Sequence, residues 1–326
     1  MTHRAPVKLL GIDIGGTKTA VLVGNSRGET LKRVEFPTRP KERPPEAIVE
    51  QCFTAGRRLM GRARIPVIGI SCGGPQDSAR GIIFDAPHLP GWGNVEIVRM
   101  IEEKFGLPAR LENDANAGAL AEWRFGAGRG TQNFIFITMG TGFGSGLILG
   151  GRLHRGATDQ AGEIGHVRLR RRGPLHFGKT GSIDALCSGP GLARLCAKEL
   201  RKLPPRKKGR LAPFAQGKPL DRLTGKDVAQ AAIGGNEFAE DVVRRYGWMV
   251  GEAVAVMVDI LNPERVALGG MAVRLRDMVL GPAREAVRAE ALPKATENLE
   301  IVPAELGERI GDVAALCVAM EALEGG

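Results

Sequence analysis

The chain has 326 residues, longer than one typical domain, so two lobes are the first expectation. Apolar residues make up 43%, enough for packed cores, and no apolar run reaches the roughly 18 residues of a membrane-crossing helix. The net charge is +10, yet the densest basic runs, Arg168 to Arg172 and Arg201 to Arg210, are short and lack interleaved aromatics, so specific nucleic-acid binding is not expected.

A solvated basic surface that attracts anionic ligands is the expected meaning of that charge. Five scattered cysteines (Cys52, Cys72, Cys187, Cys196 and Cys317) form no Cys-x-x-Cys pair. This argues for reduced thiols and a cytoplasmic location rather than a disulfide framework. Met1 to Lys8 lacks the apolar centre of a signal peptide. The 46 glycines are about twice the usual share, and they cluster where strands end.

The first such place is near the start. Leu9 to Ile14, Ala20 to Val23 and Leu31 to Phe36 read as strands joined by tight turns at Gly15-Gly16-Thr17-Lys18 and Asn25-Ser26-Arg27-Gly28. Asp13 sits inside the end of the first strand, where an acid is costly without a partner. It either caps the turn or holds a hydrated Mg²⁺ beside phosphates cradled by glycine N–H groups. Glu46 to Gly61 has helical spacing, Val67 to Ser71 reads as a strand, and Cys72-Gly73-Gly74-Pro75 follows it. Gly81 to Phe84 is a short strand, Val95 to Phe105 an amphipathic helix, and Pro108 to Leu111 another strand.

That strand runs into Glu112-Asn113-Asp114-Ala115-Asn116, and a helix-forming run from Ala117 to Trp123 leaves it. Asn113 and Asp114 therefore stand at a helix N-terminus, where either residue type is a good cap. One cap needs one such residue, whereas four polar side chains gather here at a strand end, where open α/β sheets bind ligands.

From Asn133 the opening pattern returns: a strand from Phe134 to Met139, a turn at Gly140-Thr141-Gly142-Phe143-Gly144-Ser145-Gly146, and a new strand beginning at Leu147. The repeat suggests two lobes of related topology. Because a strand rather than a helix follows the glycines, a phosphate-cradling hairpin is favoured over a dinucleotide fingerprint. Gly162-Glu163-Ile164-Gly165-His166 comes next, its Glu and His either capping a turn or pairing. Asp184 to Leu200 reads as a helix interrupted at Ser188-Gly189-Pro190-Gly191, and Leu203 to Asp221 as a basic surface excursion. Glu237 to Ile260 is a long apolar-striped helix, Pro263 to Leu268 a strand closed by Gly269-Gly270, and Ile310 to Leu323 a helix.

Taken in order, the stretches Leu10 to Lys18, Leu111 to Asn116, Gly140 to Gly144 and Gly162 to His166 resemble the ROK family of sugar kinases and repressors. Ser188-Gly189, Asn262-Pro263-Glu264 and Leu268-Gly269-Gly270 extend the resemblance over nearly the whole chain. It implies an α/β, actin-like ATPase fold of two ribonuclease-H-like lobes around a central cleft. Residues 1–120 would form the N-terminal lobe, with a helix of about 308–326 packing back on it, and residues 121–307 the C-terminal lobe. By the resemblance, Asp13, Gly15, Gly16, Thr17 and Lys18 line one phosphate site, and Gly140, Thr141, Gly142 and Gly144 the other. Gly269 and Gly270 would lie by the adenosine of ATP. Asn113, Asp114, Glu163 and His166 would hold the sugar, joined by Gly74 and Asp184, with Asp114 as general base and Asp13 holding Mg²⁺ through ATP.

The sequence departs from the family at two places. A zinc-binding Cys-x-Cys-Gly-x-x-Gly-Cys-x-Glu segment is usual, whereas Leu175, Phe177 and Ser182 stand at the cysteine positions and Asp184 at the Glu. No structural zinc is therefore expected, and apolar packing of Leu175 and Phe177 should pin the loop instead. His88 stands where the Pro-Asn-Leu-x-Gly-Trp loop usually has Asn. The resemblance implies an ATP-dependent hexose kinase, glucose first, with N-acetylmannosamine, fructose or another hexose next, assembled as a homodimer or homotetramer. The rival is a sugar-sensing repressor, but such relatives carry a helix-turn-helix ahead of the first phosphate motif, where this chain has seven residues before Lys8.

Overall fold

The computed structural model describes residues 5–324. The first apolar runs form β1 (Lys8–Ile14), β2 (Lys18–Asn25) and β3 (Thr30–Pro37), an antiparallel meander. Two later strands, β4 (Ile68–Cys72) and β5 (Ala109–Asn113), add in parallel to give the order β3-β2-β1-β4-β5. The continuous burial of β4 is what a parallel strand covered on both faces requires.

The arrangement then repeats. β6 (Phe134–Met139), β7 (Phe143–Leu149) and β8 (Arg152–Leu153) form a second meander. β9 (Arg265–Leu268) and β10 (Glu300–Pro303) extend it in parallel, giving β8-β7-β6-β9-β10. Two sheets of the same order and the same strand directions make this the actin-like ATPase fold. The parallel register brings the ends of β1, β4 and β5 to one edge, since Ile14 pairs with Cys72 and Cys72 with Asn113. In the second sheet Ile137 of β6 pairs with Leu268 of β9, so Gly140-Thr141 and Gly269-Gly270 leave from the equivalent edge.

Helices Pro45–Met60 and Ile97–Phe105 bury Ile48, Cys52, Ile97 and Ile101 on one face of the first sheet, against Leu10, Ile12, Ile70 and Leu111. Helix Ile310–Glu324 covers the other face with Ala315, Leu316, Ala319 and Met320. Its approach is close enough that a Cβ on Gly69 would lie 2.1 Å from the Ala315 carbonyl oxygen. The opposite side of that helix packs Ala314, Cys317 and Val318 against helix Asp114–Phe125, which in turn rests on Phe134, Phe136 and Ile148. Lying between two packed surfaces, the middle of helix Ile310–Glu324, from Val313 to Met320, is apolar on every side. The second sheet is covered by Glu237–Leu261 and Asp277–Glu290. Tyr246, fully buried, donates its hydroxyl to the Cys187 carbonyl.

Two strand boundaries differ from the sequence reading. β7 starts at Phe143, so the turn is only Gly140-Thr141-Gly142, and Gly144 already pairs with Thr138 in the ladder. Lys18 begins β2 and its ammonium donates to Glu35 of β3 at 2.8 Å. As expected, Ser188 breaks the helix around it into Ile183–Cys187 and Gly189–Arg201.

Candidate active site

Asn113 ends β5 with extended backbone, and its side-chain oxygen accepts from the N–H groups of Ala115 (2.9 Å) and Asn116 (3.3 Å). It is the cap of helix Asp114–Phe125. The capping role is thus filled by Asn113, which leaves Asp114 available for other chemistry. The Asp114 carboxylate accepts one bond, from the Ala115 N–H at 2.9 Å, and otherwise opens on a cavity of about 370 Å³. Enclosure by the cavity walls pushes its pKa up, partly offset by His88 and by backbone N–H groups. A carboxylate disfavoured as an anion, at the N-terminus of a helix, is a poised proton acceptor.

The same cavity is lined by Gly73 and Gly74 from the turn after β4, by Asn113 and Asn116, and by Gly140 to Ser145 of the second sheet's hairpin. Glu163 and Asp184 close it. Burial pushes the Glu163 carboxyl up; His166 opposes this, while Asp114 and Asp184 add to it. Asp184 is 6% exposed, accepts from the Phe143 N–H at 2.6 Å, and lies 2.7 Å from His176 Nε2. One of its oxygens thus fixes the start of β7, while the other makes no hydrogen bond and faces His176 of the hairpin Leu175–His176/Lys179–Thr180.

His166 is exposed and lies outside the cavity lining, its ring stacked on Phe177 with 5.5 Å between centroids. Lys179 donates to the His166 carbonyl at 2.7 Å. The expected packing of Leu175 and Phe177 is therefore corrected: they are 70% and 55% exposed. The positive φ of Phe177 (46°) and Gly178 (70°) turns the hairpin tip outward, so only the Phe177 ring face touches the two histidines.

Asp13 lies at the same edge of the first sheet, one residue before the end of β1. Its carboxyl is pushed up to about 6, first by burial, then by Asp114 and Asp312, with a Ser71 hydrogen bond and Lys18 pulling the other way. Gly15 and Gly16 turn beside it; the Gly15 N–H donates to the Lys18 carbonyl (3.0 Å) and its carbonyl accepts from Thr38 (2.6 Å). A Cβ on Gly16 would lie 2.4 Å from the His88 carbonyl oxygen. Thr17 is exposed at the tip. His88 also brings its Nε2 to 3.8 Å from Cys72 Sγ.

A second and larger cavity, about 880 Å³, continues from Gly140 and Thr141. Gly189, Pro190 and Ala193, the helix Gly225–Ile233, and Met271 to Arg276 wall it. Gly269 and Gly270 do not line it but bring those walls in: Gly270 turns with φ 59°, and a Cβ there would lie 2.1 Å from the Met139 carbonyl oxygen. Two cavities meeting at one Gly-Thr-Gly turn, one carboxylate-lined and one largely apolar, suit a polar acceptor and a base-bearing phosphate donor. The sequence model of the ROK family matches residues 9–322.

The chain belongs to the ROK family. A glucokinase of Halalkalibacterium halodurans is 32% identical over 308 residues, 93% of this chain and 92% of that protein. A ROK family glucokinase from Streptomyces griseus, solved with glucose and AMPPNP, is 30% identical with a TM-score of 0.80, covering 96% of this chain and 99% of that one. A ROK hexokinase from Thermus thermophilus is 32% identical with a TM-score of 0.81, covering 98% and 100%.

The ROK zinc segment does not fit this chain's donors. Leu175, Phe177 and Ser182 offer no good zinc ligand, and no group of three or more His, Cys, Asp or Glu suited to a metal occurs among the described residues. Cys187 is fully buried and burial pushes its thiol up, away from the thiolate a metal needs. A hard cation suits Asp13 better, since its carboxyl is pushed up by burial and by Asp114 and Asp312, and a cation beside it would relieve that crowding of negative charge. Among the described residues, no helix is long and apolar enough to cross a membrane.

Proposed function

We propose that the chain phosphorylates glucose with ATP, giving glucose 6-phosphate and ADP. The observation that carries this is Asp114, helix-mounted with a raised pKa, facing a cavity shared with Asn113, Glu163 and the Gly140–Gly142 turn. A sugar hydroxyl is a poor nucleophile, so a carboxylate within hydrogen-bond reach must take its proton as it attacks. Asp114 accepts that proton, the hydroxyl oxygen bonds to the γ-phosphorus, and the bond from that phosphorus to the β-bridging oxygen breaks to release ADP. Asn113 and Glu163 orient the sugar; Gly74 lets it approach the backbone, and Asp184 and His166 steady the wall beside it. A carboxylate that accepts from two hydroxyls, once the bound sugar has covered it, rejects an isomer lacking one by about 1–3 kcal/mol.

The turns at Gly15-Gly16-Thr17-Lys18 and at Gly140-Thr141-Gly142, with Gly144 behind the second, present the phosphates with N–H groups. The base and ribose of ATP occupy the larger cavity, whose walls Gly269 and Gly270 set. Asp13 would hold Mg²⁺, which neutralises charge on the phosphates when bound. Residues 1–120 with the tail helix, and residues 121–307, are the two lobes between which these groups meet. The protein works in the cytoplasm as a homodimer or homotetramer, which light scattering would test; a monomer at assay concentration would refute the assembly.

A coupled ADP-release assay over a panel of hexoses and amino sugars tests the activity. Glucose should give the highest kcat/KM, followed by other hexoses. No sugar-dependent ADP release with any member of the panel would end the reading.

A further inference from the structure

Glu112 and Asn116 belong to the polar cluster at the end of β5, yet neither has a part in the chemistry above. Glu112 is 1% exposed. Its carboxylate accepts from the Asn113 N–H (3.0 Å), from Asn116 Nδ2 (3.0 Å) and from Arg155 Nε (2.7 Å). Arg155 comes from the other sheet, just after β8, and stands at the head of the segment that leads to Glu163. Its own carbonyl accepts from the Ala161 N–H at 3.0 Å, closing a loop over residues 155–161. Within that loop, Asp159 accepts from the Ser78 N–H at 2.5 Å, a second tie between the two halves.

We infer that the Glu112–Arg155 pair is a positioning device that sets the separation between Asp114 and Glu163. One end is two residues from Asp114 in sequence; the other anchors the loop that delivers Glu163. Alternative explanations are weaker. A buried ion pair is seldom retained for stability, because desolvation cancels much of its attraction. A pair that only filled core space would not need to join separate sheets beside the cavity. Coupling the two places them on one rigid frame, and small displacements of reacting groups cost rate steeply.

The inference rests on the proposed function for its kinetic test, so a second readout is independent of turnover. In the full-length protein, Arg155→Gln should raise the glucose KM by about ten-fold or more and lower kcat, with the ATP KM within about two-fold. Arg155→Lys should restore part of the loss. Glu112→Gln should raise the glucose KM in the same way, and the double variant should be clearly less than additive, since both remove the shared Glu112–Arg155 contact. Should Glu112→Gln fail to fold, Arg155→Gln carries the test, its side chain being 23% exposed. Arg155→Gln leaves Glu112 buried without its cation and should lower the melting temperature; amide hydrogen exchange at Ala161 in sugar-free protein should nevertheless quicken by more than exchange at core amides of the two sheets. An unchanged glucose KM, an equal rise in the ATP KM, or additive effects in the double variant would overturn the assignment. If the wild type turned over no sugar, the proposed function would fail, and exchange alone would judge the tether: quickening at Ala161 beyond that of the core amides in Arg155→Gln supports it, no such excess refutes it.

Discussion

Replacing Asp114 by Asn separates a catalytic carboxylate from a structural one, because the two roles predict opposite signs for stability. The helix cap belongs to Asn113, whose oxygen accepts from Ala115 and Asn116, and an Asn at 114 can still accept the Ala115 N–H now at 2.9 Å. Loss of base catalysis should cut kcat by about 10²–10⁴, equivalent to about 3–5.5 kcal/mol of barrier. The stability effect follows from the raised pKa. A carboxyl whose folded pKa lies above its ordinary 3.8 binds its proton more tightly when folded, so its contribution falls as pH rises through that window. Asn has no proton to lose. Asp114→Asn should therefore melt at the same or a higher temperature than wild type at pH 8, with the difference closing toward pH 4. In the wild type, kcat/KM should fall on the acid side at a pH above the ordinary carboxylate range. The assays are steady-state kinetics across pH and thermal melting of both proteins without ligand. A variant that melts lower at pH 8 and loses activity in proportion would show that Asp114 holds the fold, and the reasoning would be wrong.

Asp13→Asn should raise the Mg²⁺ needed for half-maximal turnover by about ten-fold, since a hard cation prefers a carboxylate; with its carboxyl at about 6, wild type should also need more Mg²⁺ at pH 5.5 than at pH 7.5. An unchanged Mg²⁺ titration would remove Asp13 from that role. Gly270→Ala forces a side chain into φ 59° and against the Met139 carbonyl, so it should cost about 1–3 kcal/mol and raise the ATP KM. Equal melting and equal ATP KM would refute the close approach. Asp184→Ala frees the Phe143 N–H and His176 together, and should raise the glucose KM more than the ATP KM; elemental analysis of wild type should find no stoichiometric zinc, and one chelatable zinc per chain would sink that part. DNA retention should be weak, salt-sensitive and without sequence preference, given a net charge of +10, and a footprint on a defined operator at physiological salt would contradict it.

What the sequence made legible was local. Asn113 and Asp114 could be placed because a strand, a polar turn and a helix start are consecutive, and each has its own residue signature. The two glycine hairpins were readable for the same reason, and their repetition carried the fold, since it marks two copies of one strand order. What escaped reading depends on distant segments. The walls of the larger cavity come from around Gly189, from Gly225–Ile233 and from Met271 to Arg276, segments that meet only through packing and share no local pattern. Lys18 could be placed at the first glycine turn by position, but its bond to Glu35, a residue on another strand, could not be read from that turn. Leu175 and Phe177 looked like core because they are apolar, yet the two positive φ values at the hairpin tip, one of them at Phe177 itself, set them outward.

Glu112 shows the same boundary most sharply. Sequence alone could place it among four polar side chains gathered at a strand end. Only the packing of two sheets identified its partner as Arg155, 43 residues away. Asp114 can be recognised from its neighbours in the chain, but the distance at which it works is set by residues that are neighbours only in space. Variants of Asp114 therefore test the chemistry, and variants of Arg155 test the frame that holds it. A kinase with an intact base and a slack frame should keep its ATP affinity and lose its grip on the sugar, and that asymmetry is the signature to look for.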